Sequence, residues 1–426
     1  MNKELSKIKY SSFTTKTNKN NKLFQILWIA TLNTVILLFI IGSIWDLKIA
    51  KAFGDLNDNG FISWLSMFWD KLAYTMTVPF IFAITGIFME TLNKKYGKQK
   101  ITFSIIINII YISFIIIFTI LFAFTTKNMA NSISIYGTGR SDWFGLDRIH
   151  TILVMSIEIG IEVIIMIGLA LYLRLNFSRR NDLLTRNYWI DGIKVLVVFA
   201  VVGFIVDPSL KTFWGRPYFI HVDYQNVINS LPDNWTKPLP SDIHNAEYLD
   251  WWQIQGFNPD YWKAYFSGDY GNTHWNNVAF PSGHMNSSSM LVYTTILLLM
   301  NEKRGDKISW WKWLIFIIVV FDVFMMAIMQ MVSRTHWITD LMFTLALLLL
   351  VFKPLNWLTD HIIYFVLSLI WIKTGSTKSM VEIEVKNKRV IFISIDNTYW
   401  QVAKVKISKI ETSKKFKRWH SNNFKY

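Results

Sequence analysis

The sequence predicts an all-α polytopic membrane protein, and its composition and apolar runs carry that prediction. Of its 426 residues, 52% are hydrophobic and 17% are charged, whereas soluble domains carry roughly 25% charged residues. Apolar runs near the roughly 20 residues needed to cross a bilayer recur along the chain. We therefore expect about eight transmembrane helices around a helical core, followed by a small β-rich tail.

The same composition excludes several other classes of protein. An aromatic content of 16% is too high for a disordered chain. Because the chain has no cysteine, a disulfide scaffold, a zinc–thiolate site, an iron–sulfur cluster and a thiol nucleophile are all excluded.

The predicted spans follow the apolar runs, of which 101–125 is the clearest. The first run follows a lysine-rich segment and has no small-residue cleavage site after it, so we interpret it as a retained anchor. The eight predicted spans are 24–45, 72–92, 101–125, 151–173, 187–207, 284–300, 310–331 and 336–353.

Positive charge collects in every second loop, which predicts the orientation in the membrane. Segment 1–23 has six lysines against one acid, and the loop KKYGKQK has four lysines and no acid. The long loop 207–280 instead has eight acids against four Lys/Arg. Because cytoplasmic loops are enriched in Lys and Arg, both termini are expected in the cytoplasm and the long loop outside, in a multi-pass protein of the cell membrane.

Five segments follow along the chain. We expect a basic cytoplasmic N-terminus at 1–23, N-terminal transmembrane helices at 24–194, a membrane core at 195–353 with an outer loop at 208–283, an interfacial helix at 354–373 and a basic cytoplasmic tail at 374–426. Aromatic residues such as Trp235 and Trp275 crowd the outer loop, whose length predicts short helices within it.

The tail differs in pattern from the rest of the chain. VEIEV, RVIFISI and YWQVAKVKI alternate apolar and polar residues as strands do. From Lys373 onward the tail has 13 Lys/Arg against four acids, so the expected partner is an anionic cytoplasmic leaflet. No motif supports a nucleic-acid partner.

Three polar clusters interrupt the apolar chain, and all fall on the predicted outer side. They are Lys211 with Arg216 after the fifth span, Pro281-Ser282-Gly283-His284 at the start of the sixth, and Arg334, His336 and Asp340 between the seventh and eighth.

Each cluster fits an anion site. Ser282 and Gly283 just before a helix offer a hydroxyl and free backbone N–H groups, which bind phosphate well. His336 and Asp340 share a helix face, so the carboxylate is able to fix the imidazole tautomer and leave the other nitrogen as a nucleophile. The imidazole of His284 suits a general acid, because the unperturbed pKa of histidine lies near neutrality.

Cationic side chains complete the pattern. Lys211, Arg216 and Arg334 bring charged donors to phosphate oxygens, the arginines with two donors each. Charge neutralisation with positioning is what phosphoryl transfer requires.

In this order, Lys…Gly-Arg-Pro, Pro-Ser-Gly-His and His-x-x-x-Asp resemble the type 2 phosphatidic acid phosphatase superfamily, which includes the vanadium haloperoxidases. The resemblance covers roughly 195–353, with a weaker likeness around Asp46. It implies a hydrolase without metal or cofactor, in which His336 attacks phosphorus, Asp340 orients it and His284 acts as acid and then base. It also implies that Lys211, Ser282 and Gly283 hold the phosphoryl oxygens of a lipid phosphate.

Two positions depart from the family pattern. Counted from Lys211, Tyr218 stands where an arginine is usual, and counted back from His336, so does Gln330. Our hypothesis is that Arg216 and Arg334 substitute from displaced positions. The alternative is a degenerate relative that binds lipid phosphate without turnover.

Buried acids indicate a rival class of function. Glu158, Glu162 and Asp322 lie inside predicted spans, where acids are costly and often functional. A membrane transporter that uses these carboxylates therefore stays open, as does a simple hydrogen-bonding role inside the bundle.

Overall fold

The computed structural model shows a bundle of long helices. It describes residues 10–12, 21–94, 101–136, 148–180, 183, 188–229, 245–267, 278–300, 308–374, 380–385, 388–395 and 398–406. Within these ranges we label the long helices α1 to α9. They are α1 (Asn21–Gly54), α2 (Gly60–Thr75), α3 (Thr77–Leu92), α4 (Ile101–Tyr136), α5 (Arg148–Tyr172), α6 (Tyr188–Phe204), α7 (Gly283–Leu298), α8 (Trp310–Val332) and α9 (Ile338–Thr374).

Seven segments are long and apolar enough to cross a membrane, which confirms the polytopic helical class. They are Gln25–Asn57, Gly60–Leu92, Ile101–Asn131, Arg148–Phe177, Tyr188–Asn226, Trp310–Val332 and Ile338–Thr359. The span predicted at 284–300 is not among them. It corresponds to α7, which has 16 residues, fewer than the roughly 20 that a crossing needs.

The helix α7 lies inside the bundle rather than at its lipid-facing surface. It packs against α2, α6, α8 and α9, and its buried side chains include Ser288, Ser289, Thr294 and Thr295. Small polar side chains let helices approach closely and bond across the contact. This interior position explains a short helix that is less apolar than its neighbours.

The second predicted span begins earlier than the sequence pattern indicated. Helix α2 starts at Gly60, and the side chain of Asn59 caps it by accepting hydrogen bonds from the N–H groups of Phe61 and Ile62. The predicted span began at residue 72, just after Asp70 and Lys71 interrupt the apolar run. Both charged residues lie on the part of α2 that the prediction left out.

The predicted interfacial helix at 354–373 is not a separate element. Helix α9 runs unbroken from Ile338 to Thr374, with Pro354 inside it. Proline in a helix interior removes one hydrogen bond and usually kinks the helix, but here the helix continues for twenty residues beyond it, to Thr374.

Shorter elements occupy the predicted outer loop and the tail. The loop contains helices at Phe219–Val222, Tyr224–Asn229, Gln255–Phe257 and Pro259–Ser267, which confirms the expected short helices there. Residues 230–244 and 268–277, with Trp235 and Trp275, lie outside the described residues, as do the basic loops at 95–100 and 301–307.

The tail forms the predicted meander. It has three strands, β2 (Met380–Val385), β3 (Lys388–Ile395) and β4 (Thr398–Lys406). The strand β3 pairs antiparallel with both β2 and β4. A strand that the sequence did not predict, β1 (Tyr10–Ser12), pairs parallel with β4. The two terminal segments therefore meet in one sheet of order β1-β4-β3-β2.

Candidate active site

The three polar clusters of the sequence meet at one end of the bundle, where α6 ends, α7 begins and α8 turns into α9. Ser282 caps α7, because its hydroxyl accepts a hydrogen bond from the N–H of Met285 at 3.3 Å. The backbone N–H of Ser282 donates to the Thr344 hydroxyl of α9 at 2.8 Å. These bonds fix the first turn of α7, whose free N–H groups form an electropositive terminus.

Lys211 reaches this terminus from the end of Ile205–Lys211, a π-helical segment that continues α6. Its ammonium lies 3.1 Å from Asp207 Oδ1. A Cβ atom added to Gly283 would lie 3.2 Å from the Lys211 ammonium and 2.5 Å from Asp207 Oδ1. Only glycine at 283 lets both charged groups approach the start of α7 this closely.

The two histidines are in direct contact. His336 Nε2 lies 3.3 Å from His284 Nδ1, and His336 Nδ1 lies 3.4 Å from Asp340 Oδ2. The same carboxylate oxygen accepts a bond from the N–H of Trp337 at 3.1 Å. His336 and Asp340 are fully buried, and His284 is 8% exposed.

A second carboxylate, missed by the sequence prediction, holds the far side of His284. Asp70 Oδ1 of α2 lies 3.0 Å from His284 Nε2, and Asp70 Oδ2 lies 2.6 Å from the Lys71 ammonium. Each histidine therefore has a carboxylate on its outer nitrogen. The only sequence signal for Asp70 was an acid beside a lysine in an otherwise apolar stretch.

Gln330 stands where the family has an arginine, and it supports Asp70. Its side-chain amide donates to Asp70 Oδ1 at 3.2 Å, while its Oε1 accepts from the Thr335 hydroxyl at 2.6 Å. The residue is fully buried. At this position the chain has thus replaced a cation by a neutral group that binds the partner of His284.

The contacts of Arg216 differ from those expected of a substrate-binding residue. Its Nη1 donates to Asp340 Oδ1 and to the Thr339 hydroxyl, both at 2.7 Å. Its Nη2 donates to Asp46 Oδ2 at 2.7 Å, and its Nε to the carbonyl of Leu249 at 2.8 Å. With 1% of its surface exposed, Arg216 joins two buried carboxylates instead of presenting its donors to a phosphate.

Arg334 has a different setting. It adopts a left-handed backbone conformation, with φ 59°, which is uncommon for residues other than glycine. Its carbonyl accepts from the N–H of Ile220 at 2.9 Å, and its Nε lies 3.3 Å from Asp223 Oδ2. These contacts attach the turn before His336 to the short helix Phe219–Val222. Substrate binding by Arg334 stays a prediction.

The surroundings of His336 favour its neutral form. Burial lowers the pKa of His336 well below its usual value of 6.5, and the neighbouring His284 and Lys211 lower this pKa further. Asp70 and a backbone bond to Ala279 act in the opposite direction but are weaker causes. A neutral imidazole keeps a lone pair at neutral pH, as a nucleophile requires.

The three acids of the rival interpretation lie elsewhere in the bundle. The Thr75 hydroxyl lies 2.5 Å from Glu158 Oε1 and 3.2 Å from Glu162 Oε1. Asp322 lies near Ser288 and Trp69. Among the described residues, no group of three or more His, Cys, Asp or Glu is arranged to hold a metal ion.

Comparisons with known proteins match the core of this site. Residues 191–362 match the PAP2 superfamily model. An uncharacterised protein of Mycoplasma capricolum subsp. capricolum is 25% identical, in an alignment that covers 80% of this chain and 94% of that protein. No solved structure matches the chain. Residues 191–362 are therefore similar to the PAP2 superfamily, the phosphatase and haloperoxidase superfamily that the motifs of the chain resemble.

Proposed function

We propose that this protein is an integral membrane phosphatase that hydrolyses a lipid phosphate or pyrophosphate through a phosphohistidine intermediate. One observation carries the proposal: an unbroken series of contacts runs from Asp340 through His336 and His284 to Asp70. It lies beside the N-terminus of α7 and the Lys211 ammonium. A nucleophile, an acid and an anion site are thus close together.

Counting hydrogens assigns the two histidines their roles. If His284 Nε2 and His336 Nδ1 each donate a hydrogen to their carboxylates, the neutral rings have no hydrogen left on the two nitrogens that face each other. A hydrogen bond between His284 Nδ1 and His336 Nε2 therefore needs one further proton, which the two rings share. The low pKa of His336 places that proton on His284. His284 then acts as the cationic acid, and His336 Nε2 keeps its lone pair for attack.

The reaction follows from this arrangement. The lone pair of His336 Nε2 forms a bond to phosphorus as the bond from phosphorus to the lipid oxygen breaks. His284 Nδ1 gives its proton to that oxygen, which leaves as the alcohol or, from a pyrophosphate, as the lipid monophosphate. Water then attacks phosphorus and gives a proton back to His284. The N–P bond breaks, and inorganic phosphate leaves.

Substrate binding requires the histidines to separate. Attack needs about 3–3.5 Å between nucleophile and phosphorus, and the acid must reach the leaving oxygen at about 2.6–3.2 Å. The 3.3 Å contact between His284 and His336 leaves no room for phosphorus. A bound phosphate therefore replaces this contact, with its oxygens held by Lys211 and by Ser282 and the N–H of Gly283.

The membrane bundle supports a lipid as the substrate, and phosphatidate, phosphatidylglycerol phosphate and polyprenyl pyrophosphate are the candidates.

The basic segments support cytoplasmic termini, with the tail on the anionic inner leaflet and the active site on the outer face. Because the chain lacks cysteine, single substitutions test this orientation. Asp260→Cys should react with an impermeant maleimide on intact cells, and Lys94→Cys only after permeabilisation; the reverse pattern overturns the orientation.

The decisive experiment is phosphate release by purified protein from a panel of lipid phosphates. We expect His284→Ala to lower kcat by about 10²–10⁴, and His336→Ala to abolish both turnover and an acid-labile phosphoenzyme trapped by rapid quench. The degenerate alternative predicts lipid-phosphate binding without release, since Tyr218 and Gln330 replace two arginines. Solute flux that depends on Glu158 and Glu162, without phosphate release, would instead identify a transporter.

A further inference from the structure

A cavity separate from the two histidines lies among α2, α3, α5, α7 and α8. Its volume is about 550 Å³, within the range of roughly 300–1,000 Å³ typical of small-molecule sites. Most of its walls are apolar side chains such as Phe80, Ile161 and Val319. None of the residues proposed for phosphate transfer lines it.

Two acids from different helices line this apolar cavity. Glu162 of α5 is 1% exposed and Asp322 of α8 is 9% exposed. The Oε2 atom of Glu162 and both carboxylate oxygens of Asp322 make no hydrogen bond of normal geometry with any described residue. Unsatisfied carboxyl oxygens in such a setting are costly, so a ligand that pairs with them gains affinity.

No cation of the described bundle forms an ion pair with these two acids. Lys312 also lines the cavity, but it lies ten residues before Asp322 on α8, which is about 15 Å along a helix. Arg180 lies over the ring of Tyr188, 5.3 Å from its centroid. Lys71 is 2.6 Å from Asp70.

We propose that this cavity binds a long-chain amine, whose ammonium pairs with Glu162 and Asp322 while its alkyl chain fills the apolar remainder. The complementary charge selects an amine over a fatty acid or an alcohol of equal length. This binding site is independent of phosphatase activity.

Glu158 offers a matched control. It lies one turn from Glu162 on the same helix and contacts the same Thr75 hydroxyl, but it does not line the cavity. Replacement of either glutamate by glutamine keeps an acceptor for Thr75. The two variants therefore lose the same charge in nearly the same place, and only one of them alters the cavity wall.

The test uses full-length protein in lipid nanodiscs with a diazirine-bearing hexadecylamine, whose crosslinks are mapped by peptide mass spectrometry. We expect adducts on cavity residues that excess hexadecylamine competes away and that hexadecanol or palmitate does not. Glu162→Gln and Asp322→Asn should each weaken labelling at least tenfold, and Glu158→Gln less than twofold. Thermal unfolding of each variant confirms that it is folded.

Three outcomes overturn the proposal. Equal competition by hexadecanol would show that the cavity selects chain length alone. An equal loss in Glu158→Gln would show that the charge of the pair, not the cavity wall, controls labelling. Adducts spread evenly over lipid-facing helices would show partitioning into the bilayer without a site.

Discussion

Asp70 provides the sharpest test of the catalytic arrangement, because it lies outside the residues that the family motifs identify. We expect Asp70→Asn to lower kcat for lipid phosphate hydrolysis while leaving the fold intact. The side chain is nearly isosteric, and the amide oxygen is still able to accept from His284. What the variant loses is the negative charge 3.0 Å from His284 Nε2.

The magnitude follows from that single contact. A hydrogen bond to a charged group contributes about 1.5–3 kcal/mol and a neutral one about 0.5–1.5 kcal/mol, so the variant loses about 1–1.5 kcal/mol. Because about 1.4 kcal/mol changes a rate tenfold, the expected loss in kcat is about 5- to 13-fold.

The assay is inorganic phosphate release over a range of pH, with thermal unfolding as a check of the fold. Asp191→Asn is the control: Asp191 is also a buried aspartate near a lysine of its own helix, 3.7 Å from Lys194, but it is not part of the site. An Asp70→Asn enzyme with unchanged kcat, or a control with an equal loss, would refute the role given to Asp70.

Three further expectations follow from other contacts of the site. Arg216→Lys should lower the free energy of unfolding by about 1.5–3 kcal/mol in denaturant titrations, since lysine cannot reproduce the planar set of donors that joins two carboxylates; stability equal to the parent would contradict this. Gly283→Ala should raise KM about tenfold with the fold retained, because its Cβ would displace the Lys211 ion pair; an unchanged KM would remove Lys211 from the binding site. The acid limb of the pH profile of kcat/KM should have its midpoint below pH 6.5, because the lowered pKa of His336 keeps this residue neutral down to that pH. A midpoint above pH 6.5 would contradict the lowered pKa.

The site extends beyond the segment that matches the family model. Asp46 on α1 and Asp70 on α2 both precede residue 191, where the match begins. Each contacts a group of the core: Asp46 binds Arg216, and Asp70 lies against His284. The N-terminal helices therefore complete the polar network of the core, and a chain truncated to 191–362 should lose it.

Several features were predictable because they depend on local pattern. A serine and a glycine before a helix predict a cap and an anion site, and the structure shows Ser282 capping α7. The four-residue spacing of His336 and Asp340 predicted a shared helix face. Their side chains are in contact, but His336 lies two residues before α9 begins, so the contact is made across the start of the helix. Alternation in the tail predicts strands, and β2 to β4 follow it.

Other features were not predictable because they depend on contacts between distant segments. Arg216 adjoins a motif and has the chemistry of a phosphate ligand, and only its contacts with Asp46 and Asp340 show a different role. Asp70 lies 214 positions before its partner His284. Because of its charge, the predicted second span began only after it, at residue 72. A length criterion for spans also fails at α7, which has only 16 residues but lies inside the bundle among longer helices.

The sequence by itself determined the class of protein and the chemistry at the ends of three helices, because bilayer thickness, helix period and capping act over a few neighbouring residues. The tertiary structure decided which charges face each other. A carboxylate beside a guanidinium differs entirely in role from one beside an imidazole, and only packing of the helices selects between them. For the same reason, Asp340 lies between Arg216 and His336, an arrangement that no spacing along the chain specifies.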